Sequence, residues 1–117
     1  MEENPWSIVF YTTERGNCPV KEFLIKLPHV TSARMSKGIA LLSSAGFRLG
    51  PPWLKKIDDA LWELRAIGEN LRIRIRFSQE GPKFVLLHAM KKKQQKLSRR
   101  DIEIAHQRLE DYRVRFK

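Results

Sequence analysis

A chain of 117 residues with 42% hydrophobic side chains is long enough for one domain with its own core and too apolar for wholesale disorder. Its net charge of +10 is unevenly spread, with six Lys or Arg against four acids in residues 1 to 50 and seventeen against nine in residues 51 to 117. Such a charge implies attraction to something anionic: nucleic acid, an acidic protein or a membrane surface. No apolar run nears the roughly 20 residues that span a bilayer, and no leader-like segment is present, so a cytoplasmic chain with no membrane role is expected.

Trp6 to Tyr11 is rich in strand formers and predicts a first strand. Asn17 can cap the next segment and Pro19 suits a first helical turn, so Val20, Phe23, Leu24 and Leu27 define a short helix ending before Pro28. Thr31 or Ser32 can cap a second helix to about Ala45, with Met35, Ile39 and Leu42 on its inner stripe. Gly50-Pro51-Pro52 breaks the pattern, Trp53-Leu54 turns back toward the core, and Lys55, Lys56, Asp58 and Asp59 are expected to be solvated loop charges. Cys18, the one cysteine, can form no internal disulfide.

From Leu61 onward the pattern is that of three strands. Trp62 and Leu64 alternate with Glu63 and Arg65, and Leu71, Ile73, Ile75 and Phe77 alternate with Arg72, Arg74 and Arg76. Gly68-Glu69-Asn70 turns the first of these runs into the second, and Gln79-Glu80-Gly81-Pro82 leads into a third, Lys83 to Met90. That third run is nearly all apolar, as a strand covered on both faces would be, with His88 its one clearly polar side chain. Lys91, Lys92, Lys93 and Lys96 follow, then Ser98 as an N-cap for a last helix through Ile102, Ala105, Leu109 and Tyr112. The order β-α-α-β-β-β-α predicts an α+β domain over residues 1–117: a small, mainly antiparallel sheet with a helical hairpin on one face, a C-terminal helix, and an uncovered row of arginines.

The segments LWELR, LRIRIRF and KFVLLHAMKKKQQKLSRRDIEIAHQRLEDY, together with CPVKEFLIKLP earlier, resemble the phage-derived Gp49-like branch of the HigB and RelE toxin superfamily across nearly the whole chain. The resemblance implies a RelE-like fold and the toxin of a type II toxin-antitoxin pair that cleaves mRNA on the ribosome without a metal or other cofactor. It also implies a small antitoxin partner, of helix-turn-helix type, and a hetero-oligomer with it. By motif position, Arg65, Arg72 and Lys92 are the basic active-site candidates, with Lys91, Lys93 and Lys96 as neighbours.

Cleavage by a ribose 2′-hydroxyl needs a base, an acid and cations to hold the charge building on phosphorus. Arginine suits the last task because it stays charged and grips two phosphate oxygens. Several relatives use a tyrosine near the start of the last helix, where this chain reads Leu97-Ser98-Arg99. The base must then be sought elsewhere: a lysine crowded by cations, Lys92 or Lys93, comes first, then His88, then Tyr112. Each has a structural alternative, since a lone histidine on an apolar strand is more often a hydrogen-bonded core residue. Arg74 and Arg76 are candidate phosphate or partner contacts. Trp6, Trp53 and Trp62 read as core anchors, and His29 and His106 lack any spacing that suggests zinc. Two rival functions share the pattern: a toxin of the same fold acting on DNA gyrase, and a basic nucleic-acid-binding accessory protein.

Overall fold

The computed structural model describes residues 5–66, 68, 72–92 and 98–116. Five strands form one sheet in the order β1 (Ser7–Phe10), β5 (Lys83–Lys91), β4 (Ile73–Glu80), β3 (Trp62–Arg65), β2 (Leu54–Lys56), with β1 parallel to β5 and every other pair antiparallel. Helices α1 (Pro19–Ile25) and α2 (His29–Ala45) lie between β1 and β2 in sequence, and α3 (Arg99–Arg115) closes the chain. The architecture is the expected α+β domain. One strand was not foreseen: β2 is only three residues long, two of them lysine, and it follows a Pro-Pro pair, so it carries no alternation signal.

Local chemistry sets the boundaries. Pro19 opens α1 as expected, but the cap is Cys18 rather than Asn17: the Cys18 N–H donates to Glu22 Oε2 at 2.8 Å, while Asn17 closes the preceding turn through Thr13. Helix α2 starts directly after Pro28, ahead of Thr31 and Ser32, with no side-chain cap. Strand β4 runs on to Glu80, and the turn narrows to Gly81-Pro82, where Gly81 at φ 63° supplies the left-handed conformation a two-residue hairpin needs. Gly46 ends α2 at φ 59°, and a Cβ there would collide with Trp6 Nε1, so glycine lets the indole seat itself.

The sheet has two covered faces. Against α1 and α2 it buries Leu54, Leu64, Ile73, Ile75, Phe77, Phe84 and Leu86, and Trp6 stacks on Phe84 with ring centroids 4.4 Å apart. Trp53 and Trp62 also pack here, as core anchors. Against α3 it buries Leu61, Val85 and Leu87 with Tyr11, Ala105, Leu109 and Tyr112. Tyr112 is therefore a core residue of α3. The face that carries the arginines is thus covered at one end by α3 rather than left open, because the apolar stripe of α3 has to be buried somewhere and the other face is already filled by the helical hairpin.

A bulge decides which residues meet α3. Phe77 pairs with Leu86 but Arg76 pairs with His88, leaving Leu87 as the extra residue. Strict alternation from Phe84 and Leu86 would turn His88 toward the helical hairpin; the extra residue sends both Leu87 and His88 to the α3 side. Arg108 Nη1 of α3 donates to the Leu87 carbonyl at 2.8 Å, fixing the bulge from above.

Candidate nucleic-acid interface

Cross-strand register builds the charged face in rungs. One rung holds Lys55, Glu63, Arg76 and His88 across β2, β3, β4 and β5; the next holds Arg65, Arg74 and Met90. One step further, the Lys92 N–H donates to the Arg72 carbonyl at 2.8 Å, so these two stand level at the end of the β4–β5 pair. Residues opposite one another share a face. Arg65, Arg72, Arg74, Arg76 and Lys92 are therefore on one side of the sheet, with Lys55. Lys91, opposite Ile73, has the other parity and belongs to the helical-hairpin side, so it does not join them. Lys93 and Lys96 lie outside the described residues.

Glu63 organises the group. Its carboxylate is fully buried, and Oε1 accepts from Arg76 Nε at 3.1 Å while Oε2 accepts from Arg65 Nε at 3.1 Å, with Arg74 Nε 3.8 Å away. Three guanidinium groups thus gather around one carboxylate. Side-chain exposure climbs from 2% at Arg76 through 16% at Arg74 to 28% at Arg65, so the cationic group opens toward solvent on the Arg65 side. Arg76 was expected on a wet face and is instead buried, its Nη1 without a hydrogen-bond partner among the described residues. It holds Glu63, and Glu63 in turn orients Arg65.

Lys92 completes the open end. Partial burial is the main cause that pulls its ammonium below the usual lysine range; Lys55, Arg65 and Arg74 act in the same direction and Glu63 opposes them. Lys55 is thus among the cations that act on this lysine. Arg72 is exposed beside it.

His88 belongs to the closed end. Its Nδ1 lies 3.4 Å from Arg108 Nη1, a group that can only donate, so Nδ1 is the acceptor and Nε2 carries the proton it shares with Asp101 Oδ1 at 2.6 Å. Burial, chiefly, lowers the histidine pKa; Asp101 opposes it and Arg108 and Arg76 add to it. The Asp101 carboxyl is lowered as well, by its bonds to His88 and Ser98, against the opposing effect of its own burial. His88 is a neutral staple between β5 and the first turn of α3. Both of its nitrogens are occupied.

Sequence reading missed Lys55, placed in a loop because β2 is so short, and the hub role of Glu63. It also missed Asp101 and Arg108, which only the bulge and the docking of α3 bring to His88. The one available signal was Glu63 as the sole acid in the two facing runs. Among the described residues no three His, Cys, Asp or Glu side chains converge as metal ligands, and no helix is long and apolar enough to cross a membrane. A shallow surface concavity of about 500 Å³ beside α3, bordered by Ala60, His106, Leu109 and Val114, shares no residue with the charged face.

The family profile described as phage-derived protein Gp49-like (DUF891) matches residues 22–110, from α1 almost to the end of α3. The chain belongs to that family. The Gp49-like family is a RelE/HigB-like toxin family, and the five-stranded sheet with three helices is consistent with a RelE-like fold. No curated protein matches the chain. The match spans β2 to β5 and most of α3, so every member of the charged face that has been placed falls inside it.

Proposed function

We propose that this Gp49-like chain is the toxin of a type II toxin-antitoxin pair and acts as a ribosome-dependent mRNA interferase. The observation that carries the reading is the open end of the charged face: Arg65, Arg74 and Lys92 gathered around a single buried carboxylate, with Arg72 alongside. A phosphodiester entering there meets more positive charge than Glu63 can neutralise. Because Arg65, Arg74 and Lys92 are partly withdrawn from water, their attraction for charge developing on phosphorus is stronger than it would be at a fully solvated surface.

In this reading Arg65, Arg72 and Arg74 hold the phosphate oxygens, and Lys92, its pKa lowered, takes the 2′-hydroxyl proton as that oxygen attacks phosphorus. The 5′-oxygen then leaves, giving a 2′,3′-cyclic phosphate and a new 5′-hydroxyl end. Lys93, adjacent in sequence, is the candidate to protonate it. This scheme does not use His88, whose ring nitrogens both have partners beneath α3. A site with so few acid and base groups gains most from a template that fixes the RNA in reactive geometry, which is what the ribosomal decoding site would supply. The toxin family suggests an antitoxin partner. An acidic antitoxin segment would associate quickly with a +10 chain and mask the face.

The test is controlled expression with transcriptome-wide mapping of new 5′-hydroxyl ends, for the native chain and for Arg72→Ala/Lys92→Ala. Cuts confined to translated frames and absent in the double variant are expected. Growth arrest with intact transcripts and damaged DNA would replace this reading with a gyrase-directed one.

A further inference from the structure

Lys55 is the cation that neither the motif resemblance nor the proposed chemistry uses. It sits at the centre of the three-residue strand β2, directly opposite Glu63, while its neighbours Leu54 and Lys56 pair with Leu64 and Trp62 on the other parity. Leu54 and Leu64 are buried in the core under the helical hairpin, which fixes the direction of the whole strand: Lys55 must take the charged face. A three-residue edge strand gives little to the sheet by itself. Two prolines before it and the Asp58 carboxylate after it, which accepts from the backbone N–H groups of Ala60 and Leu61 at 2.9 Å, hold it in place.

The cations then form an oblique row across four strands: Lys92 on the end of β5, Arg74 on β4, Arg65 on β3 and Lys55 on β2. Three strand spacings of about 4.8 Å make the row roughly 14 Å wide at the backbone. A stacked nucleic-acid strand advances about 3.4 Å per nucleotide, so a row of this width meets more than one phosphate. Among the described residues, the first turn of α3 closes the face at His88 through the Asp101 bond, and the β2 side is the direction left for a polynucleotide to continue.

We propose that Lys55 is a phosphate-binding residue, holding the phosphodiester next to the one gripped by Arg65, Arg74 and Lys92, so that a single RNA strand crosses the sheet from β5 toward β2, transverse to the β-strands. This rests on the reading of the charged face as an RNA site. Lys55 does not touch the reacting atoms in this scheme; it sets the path of the strand. Its charge also keeps the site cationic as seen from Lys92, which feels it directly.

Lys56 provides the control. It is equally exposed, carries the same charge and is one residue away, but it points to the opposite side of the sheet. The experiment is a fluorescence-anisotropy titration of the full chain with a short 2′-O-methyl oligoribonucleotide, which has no free 2′-hydroxyl and cannot be cleaved, for the native protein, Lys55→Ala and Lys56→Ala over a range of salt. Lys55→Ala should weaken binding roughly tenfold, the scale of one charge-assisted contact, and reduce the slope of log affinity against log salt by about 0.7. Lys56→Ala should change both far less. Equal effects of the two substitutions would mean that only net charge matters, and would overturn the proposal; so would an unchanged slope in Lys55→Ala, or a native chain that does not bind the oligonucleotide. The result is separable from the nuclease test. Lys55-specific binding without transcript cleavage keeps this phosphate site and removes the nuclease, whereas cleavage with indistinguishable lysine variants keeps the nuclease and removes this site.

Discussion

The two ends of the charged face are built from the same residue types and do opposite things. At the closed end, under and beside the start of α3, Arg76 is tied to Glu63, His88 to Asp101, and Arg108 to the Leu87 carbonyl. At the open end Arg65 and Arg74 gather at the other oxygen of Glu63, with Lys92 and the exposed Arg72 at the edge of the face. Charge can reach a ligand where the fold leaves the side chain open to solvent. Glu63 stands on the border, with one oxygen turned to each side.

The sharpest way to break this contrast is at Glu63. Glu63→Ala should cost about 3–5 kcal/mol in urea unfolding, since it strands the buried Arg76 without a counter-charge. Glu63→Leu combined with Arg76→Met should recover most of that loss, and a double variant as unstable as the single one would show that the pair is not the cause. At the open end the expected effect is on activity. Lys92→Ala should reduce cleavage in a translating extract by about 10²–10³-fold, the scale of a group that stabilises or activates the transition state, while its urea midpoint stays close to native.

His88 tests the closed end through pH. The folded histidine binds its proton less readily than the ordinary value of 6.5, so the unfolded chain takes up more protons as the solution is acidified. Stability should be complete above pH 6.5 and fall as pH drops below it toward the lowered folded value. His88→Gln should be less stable by about 1–3 kcal/mol at pH 7.5 through its weakened bonds to Asp101 and Arg108, and should lose this part of the pH dependence. A native chain equally stable at pH 7.5 and 5.5 would contradict the neutral staple. The smallest change in stability is expected for Arg72→Ala, within about 0.5 kcal/mol for an exposed side chain, together with a loss of toxicity; a fully toxic variant would place the phosphate elsewhere on the row.

Much of this was legible in the chain. The alternation in LRIRIRF placed Ile73, Ile75 and Phe77 on one face and the arginines on the other, and Ser98 capped α3 as expected, accepting from the Asp101 N–H. What was not legible depended on contacts between distant segments. Periodicity assigns a residue to a face but not to water or protein, so Arg76 read as wet until α3 and Glu63 were placed against it. A three-residue strand offers too few positions for a pattern, which hid Lys55. The direction in which His88 points was hidden because it depends on Leu87, and no local preference distinguishes a bulge in a run of apolar residues from a regular strand.

The bulge also bears on how this chain should be aligned with others. Leu87 is a single-residue insert whose flanking pairs, Phe77 with Leu86 and Arg76 with His88, stay in frame without it. A relative lacking that position would align through one gap, keep the histidine opposite the arginine, and give up the carbonyl that Arg108 holds and the leucine packed beneath α3. Gap placement at this codon, more than identity at His88, is what would tell whether another Gp49-like chain closes this end of its face in the same way.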